Sequence, residues 1–409
     1  MQNINKRHFS KFHILIFLEL FMTSGFSFVN NLMPRSLVIT IWLLMIAMLL
    51  KSKMRISKRQ ACIVVALAVI ITISSIINHE ELLLAAFYIF PLFVVLLLQS
   101  ALNYEDFKVY FVEIIYVLCI VSLIGFAVFT LIPQANSLFT VYGVKGKRFS
   151  NLILFVYRNN YRNQGMFWEP GAFQTFINLA ILYEIFADRI NKKRLIVYII
   201  CIITTFSTTG YACTLLIIII FLLGGNTHVN RNYKSTKHIL IALLAISSII
   251  LFSFGDYLFS VSSNTIFGKL IIFFNRREYL AETGNQLSSA SIRFFSIIKP
   301  IEVFFNKPIF GYGYSGLSEY LWQFTFGMNT CTFINYFAVY GVFYGLIMMV
   351  GFLRNARFVN KTGRGIISLL VFITFFLITA SEDYVNNSFF VLLVLYGYSY
   401  RNDACNLVS

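Results

Sequence analysis

Charge is scarce in this chain. Only 12% of its 409 residues are Asp, Glu, Lys or Arg, where a soluble domain carries about a quarter. That leaves too little polar surface to cover a body in water, which excludes a soluble enzyme. It also excludes a disordered chain, which needs high charge and low hydrophobicity. Acids are the scarcer sign: 17 Asp and Glu stand against 33 Lys and Arg, for a net charge of +16. Cofactor motifs are missing as well. The six cysteines (62, 119, 201, 213, 331 and 405) have no zinc-ligand spacing. Neither a Walker loop nor a dinucleotide G-x-G-x-x-G occurs, and no internal repeat is visible. Nothing in the chain calls for a metal or another cofactor. The first apolar run lacks a small-residue cleavage site and contains Glu19, so it reads as a span and not as a leader.

What is abundant is apolar: 58% of the chain. About 20 apolar residues cross a bilayer. Runs bounded by charged segments fall at 12–29, 36–50, 61–77, 82–98, 107–132, 170–187, 195–208, 211–224, 238–255, 331–353, 365–380 and 385–399. Only Thr209 and Gly210 separate 195–208 from 211–224, so that pair reads as two short helices or as one kinked element. The expected fold is an all-α polytopic membrane protein of about twelve spans, forming one integral membrane domain. It divides into a five-span segment (1–132), an outer loop (133–169), central spans (170–255), a large outer loop (256–330) and a three-span segment (331–409).

Basic residues set the orientation. With the N-terminus inside, 21 of the 33 Lys and Arg fall in inside segments, five of them in 51–60 alone. The short outer loop Asn78 to Glu81 has none. Both termini are therefore expected in the cytoplasm. The remaining 12 sit outside, against the rule, and all but Arg35 lie in the two long loops. A pI of 9.6 in a soluble protein would suggest nucleic acid. Here topology accounts for most of the charge, and no nucleic-acid partner is implied.

Long loops beside a helix bundle are where sites tend to sit. The first closes on Arg158-Asn-Asn-Tyr-Arg162-Asn-Gln-Gly165-Met-Phe-Trp168-Glu169-Pro170. Pro170 suits a first helical turn, which puts Glu169 at the positive end of a helix. Glu169 reads equally as a cap paired with Arg162 or as a functional carboxylate. Trp168 reads as an interfacial belt residue or as a ligand contact. The second loop carries Arg293, within a stretch (288–298) that suits an amphipathic interfacial helix, and the run Lys307 to Gly316, whose Gly311 and Gly313 suit a tight turn more than ligand contact. Ser207-Thr-Thr-Gly210 reads as a helix break patched by hydroxyls, or as a ligand-binding turn. Ser381-Glu382-Asp383-Tyr384 places two adjacent carboxylates on the outer side, with Glu382 a second candidate base.

Taken in order, Arg162-x-x-Gly165-x-Phe167-x-Glu169-Pro170, Ser207-Thr-Thr-Gly210, Arg293, Asn306-Lys-Pro308-x-x-Gly311-x-Gly313 and Tyr340-Gly341 resemble bacterial O-antigen polymerases. The resemblance covers mainly residues 155–390. It implies a membrane glycosyltransferase with a GT-C-like architecture, multi-pass in the bacterial cytoplasmic (inner) membrane and acting on its outer face. Donor and acceptor would be undecaprenyl-pyrophosphate-linked oligosaccharides, with a chain-length regulator protein as a further partner and no cofactor. By match to the family's two loop arginines, Arg162 and Arg293 are expected to clamp the pyrophosphate, which arginine binds in bidentate fashion. Arg158, Trp168, Ser207, Gly311 and Gly313 are expected to line the substrate site. Glu169 is the first expected base and Glu382 the second. Ligases of the same superfamily carry a His just before the span holding the Tyr-Gly pair. Here that stretch is Met328-Asn-Thr-Cys331, and none of the five histidines falls in a long outer loop, which favours a polymerase. A flippase is the rival from another class. It would concentrate polar groups at mid-membrane, where this chain has few beyond Glu19 and Glu113.

Overall fold

The structure is a computed structural model that describes residues 10–25, 35–132, 134–142, 148–157, 162–224, 289–325, 329–360 and 362–399. Its helices are α1 (Lys11–Thr23), α2 (Arg35–Leu50), α3 (Lys58–Ile77), α4 (Leu82–Ala101), α5 (Tyr104–Leu131), the single turn α6 (Ala135–Leu138), α7 (Pro170–Ile185), α8 (Lys192–Thr205), α9 (Thr208–Gly224), α10 (Ser289–Asn306), α11 (Tyr314–Thr325), α12 (Thr332–Val359), α13 (Gly365–Thr379) and α14 (Ser388–Ser399). The chain is mostly helical. Among the described residues, α3, α4, α5 and α12 are each long and apolar enough to cross a membrane.

Local chemistry sets the helix ends. Asn103 starts α5 by accepting from the Asp106 amide, with Glu105 and Asp106 at the positive end of the helix dipole. Asn191 starts α8 by accepting from the amides of Lys193 and Arg194. Phe206 ends α8 in the left-handed region, φ 46°, and Thr208 begins α9. The 195–224 stretch is thus two helices.

Two helices form the inner layer. α7 is buried along nearly its whole length, packed on α5, α8, α9 and α13. α14 is buried from Ser388 to Gly397, against α1, α3, α4 and α12. Helices covered by protein on every side form the core, and the polar side chains of α7, Gln174, Thr175, Asn178 and Glu184, are buried with it. The surrounding helices turn Leu43, Leu44, Leu82, Val117 and Ile124 outward. Such faces suit hydrocarbon, where backbone groups must be satisfied within the helix. A charge network ties the layers at one end. His13 Nε2 lies 2.9 Å from Glu113 on α5, and Arg194 on α8 bridges Glu113 (3.1 Å) and Glu184 on α7 (3.5 Å).

Helices overlie eleven of the twelve expected apolar cores, α1 covering only the first part of 12–29, while 238–255 lies outside the described residues. One expectation needs correction. The all-α reading missed an antiparallel sheet, β1 (Thr140–Tyr142), β2 (Arg148–Leu152) and β3 (Phe155–Tyr157), inside the segment 133–169. Its strands are only three to five residues long, too short for alternation to stand out. Phe155 and Tyr157 hold it to α5 by stacking on Phe129, at 5.9 and 5.4 Å. The segment 256–330, expected as a large outer loop with a helix at 288–298, holds α10 and α11. The helix expected at 288–298 extends from 289 to 306 with Pro300 inside it.

Candidate functional site

Part of the motif set meets at a break in α12, and a glycine begins it. Gly341 has φ 83° and breaks α12 in its middle. The break frees backbone groups, and the run after Lys307 satisfies them. The Val342 amide donates to the Pro308 carbonyl (2.8 Å), while the Ala338 and Val339 carbonyls accept from Tyr312 (2.9 Å) and Gly313 (3.0 Å). Gly311 and Gly313 reach this geometry with φ of 67° and 75°. A Cβ on Gly311 would strike the Val339 carbonyl, and one on Gly341 would strike that of Ile309. The two segments therefore interlock through bare backbone. Gly311 and Gly313 clasp the helix break, as the tight-turn reading expected. Asn78 and Glu80, from the short α3–α4 connection, hold the clasp: Asn78 donates to the Gly311 carbonyl and accepts from Lys307 Nζ, and Glu80 accepts from the Ser315 amide.

The second convergence is at the start of α7. Arg162 donates from Nε to the Thr205 carbonyl (3.0 Å) and from Nη2 to that of Phe206 (3.1 Å). It caps the negative end of α8. Ser207 Oγ accepts from the Gly210 amide at 3.3 Å and caps α9. Glu169 is the N-cap residue of α7, but its side chain makes no cap hydrogen bond and is exposed. Its carbonyl accepts from Ala172 and Phe173 instead. Trp168 Nε1 donates to Glu382 Oε2 at 3.0 Å. The other oxygen of Glu382 lies against Gly171, where no Cβ would fit. The two expected bases thus come to the same helix end, one exposed and one buried. The connection from α13 to α14 is pinned there. Gln174 donates to Ser381, Tyr384 donates to Thr175, and Thr332 bridges the Glu382 carbonyl and the Tyr384 amide.

Beside Trp168 opens a cavity of about 600 Å³. Its walls come from α1, α2, α4, Tyr314 and the α13–α14 connection, and they include Trp42, Glu81, Tyr88, Trp168, Asp383 and Asn386. Burial pushes the Asp383 carboxyl above its ordinary value, while hydrogen bonds from the Val385 amide and the Asn335 side chain pull it back. The Asp383 charge, then burial, pushes the Tyr314 phenol up in turn. Asn386 accepts from Tyr340, the residue before the helix break, so the clasp and the cavity wall are bonded to each other.

Sequence reasoning placed the site in the two long loops and around arginines. Of the expected clamp, Arg162 is at the α8 end and Arg293 is on α10, with its side chain outside the described residues. Arg158 also lies outside them. The charged side chains described on the cavity wall are acidic. In the sequence Asp383 reads only as the neighbour of the candidate base Glu382. Only the peptide geometry shows that Glu382 faces Gly171 while Asp383 faces the cavity. Trp42 and Tyr88 carried no signal, because an aromatic inside an apolar run reads as bulk.

A scan against protein-family models returns no match to this chain, and a search of curated proteins returns none.

Proposed function

We propose that this chain is a membrane glycosyltransferase of the O-antigen polymerase type. It would join undecaprenyl-pyrophosphate-linked oligosaccharides on the outer face of a bacterial cytoplasmic membrane, in a twelve-span chain with both termini inside. The observation that carries this reading is the cavity, which sets the aromatic faces of Trp42, Tyr88 and Trp168 beside the carboxylates of Glu81 and Asp383, next to the hydrogen bond from Trp168 to Glu382. Sugar rings stack their C–H faces on aromatics and give their hydroxyls to carboxylates and amides. A small number of placed polar groups in an aromatic-lined cleft is the usual form of a small-molecule site.

In the proposed reaction a hydroxyl of the acceptor sugar attacks the anomeric carbon of the donor. The new C–O bond forms as the bond to pyrophosphate breaks, and the polyprenyl pyrophosphate leaves with the electron pair. Asp383, which faces the cavity, takes the hydroxyl proton. Glu382 orients Trp168 beside it. Arg293 and Arg162 hold the pyrophosphate, Arg162 arriving already oriented by the Thr205 and Phe206 carbonyls. Fixed positive charge aimed at a developing anion is usually the largest catalytic term.

The test is a deletion strain. It is expected to make surface glycan with a single repeat unit and no ladder, restored by the chain supplied in trans. Loss of all lipid-linked units from the outer face would instead indicate a flippase and overturn the reading.

A further inference from the structure

The chain has three tryptophans, Trp42, Trp168 and Trp322. Two line the cavity. The third lines a second, more open cavity of about 500 Å³, together with Ser318 and Glu319. Tyr88 and Tyr314 belong to both walls, with their rings edge to face at 5.4 Å. All the tryptophans of the chain thus fall along one track, with a tyrosine pair at its middle. Both volumes lie within the range of small-molecule sites, roughly 300–1,000 Å³.

We infer that the two cavities form one continuous saccharide track of more than one sugar subsite, which takes uncharged or amino-containing sugars and rejects acidic ones. The inference deepens the function proposed above and rests on it in taking a saccharide as the occupant. Three observations support it. Trp322 is 61% exposed, which leaves a ring face open. Its neighbours on the wall, Ser318 and Glu319, are hydrogen-bonding groups. A lipid-facing tryptophan has no need of them, and a carboxylate in hydrocarbon is costly. The charged side chains described along the track are Glu81, Asp383 and Glu319. A uronate carboxylate would meet like charge at each end, and like charge across an interface selects against a ligand.

The experiment uses the purified full chain in detergent micelles, with tryptophan fluorescence and calorimetry as readouts. The probes are maltohexaose, chitohexaose, their monosaccharides and hexagalacturonate. At least one neutral hexasaccharide is expected to bind saturably and about tenfold or more tighter than its monosaccharide, a difference of about 1.4 kcal/mol. Hexagalacturonate is expected not to compete. Trp322→Ala should cut hexasaccharide affinity about tenfold, by a larger factor than it cuts monosaccharide affinity, with Trp42 and Trp168 still reporting. Trp322→Phe should keep most of the affinity. Binding of no neutral hexasaccharide, equal affinity for hexamer and monomer, competition by hexagalacturonate, or an indifferent Trp322→Ala would each overturn the track. The assay contains no donor lipid. A lost ladder with no saccharide binding defeats the track alone, and saccharide binding with an intact ladder defeats the polymerase reading alone.

Discussion

At the residue scale, neighbours in sequence have opposite duties. Glu382 is engaged by Trp168 and Gly171, while Asp383 faces the cavity. If Asp383 takes the proton, it must be ionised to act. Its carboxyl is pushed up by burial, so chain extension should fall as pH drops through a value above the ordinary carboxylate range. The sign for stability is the reverse. A raised carboxyl binds its proton better when folded, so its contribution is present at low pH and lost as pH rises through the raised value. Asp383→Asn should reduce chain extension by about a hundredfold or more, with the protein still folded by thermal melting. A pH profile with its acid limb in the ordinary carboxylate range would refute this role. Arg162 is a different case. Arg162→Lys keeps the charge but loses the fork that reaches two carbonyls. Charged hydrogen bonds contribute about 1.5–3 kcal/mol each, so the melting temperature in detergent should fall. An unchanged melt would show that the α8 end does not depend on it.

At the element scale, the break in α12 governs the site. A straight helix through Gly341 would leave no carbonyls for Tyr312 and Gly313, and the loop after Lys307 would lose its anchor. Gly341→Ala must pay strain of about 1–3 kcal/mol for its φ alone, plus a clash with the Ile309 carbonyl. We expect a clear loss of thermal stability and of chain extension together. An alanine at Gly363, which also has positive φ but open space around it, should cost only the strain. Equal effects at the two positions would mean the interlock contributes nothing. Much of this was legible in sequence: Gly311 and Gly313 read as a tight turn, Pro170 as a helix start and Ser207 as part of a helix break. The partner of the turn was not legible, because hydrogen bonds between backbone groups some thirty residues apart leave no residue pattern. The sheet was also hidden, its strands being shorter than the period that would reveal them.

At the scale of the whole molecule, apolar runs were the most legible feature. Hydropathy needs only local composition, and a helix satisfies its own backbone wherever it sits. What composition could not show is which helices lie inside. α7 and α14 are buried by neighbours from both ends of the chain, and the cavity draws Trp42 and Tyr88 from spans that look like bulk. Under the proposed function, the cavity lined by aromatics and acids is where lipid-linked sugars are joined. The most direct measurement is the surface glycan of the deletion strain carrying Asp383→Asn, Trp322→Ala or the unaltered chain, each at equal membrane level and resolved on a gel. The account predicts a full ladder with the unaltered chain, a single repeat unit with Asp383→Asn and a ladder of shortened chains with Trp322→Ala. A full ladder with Asp383→Asn would contradict it.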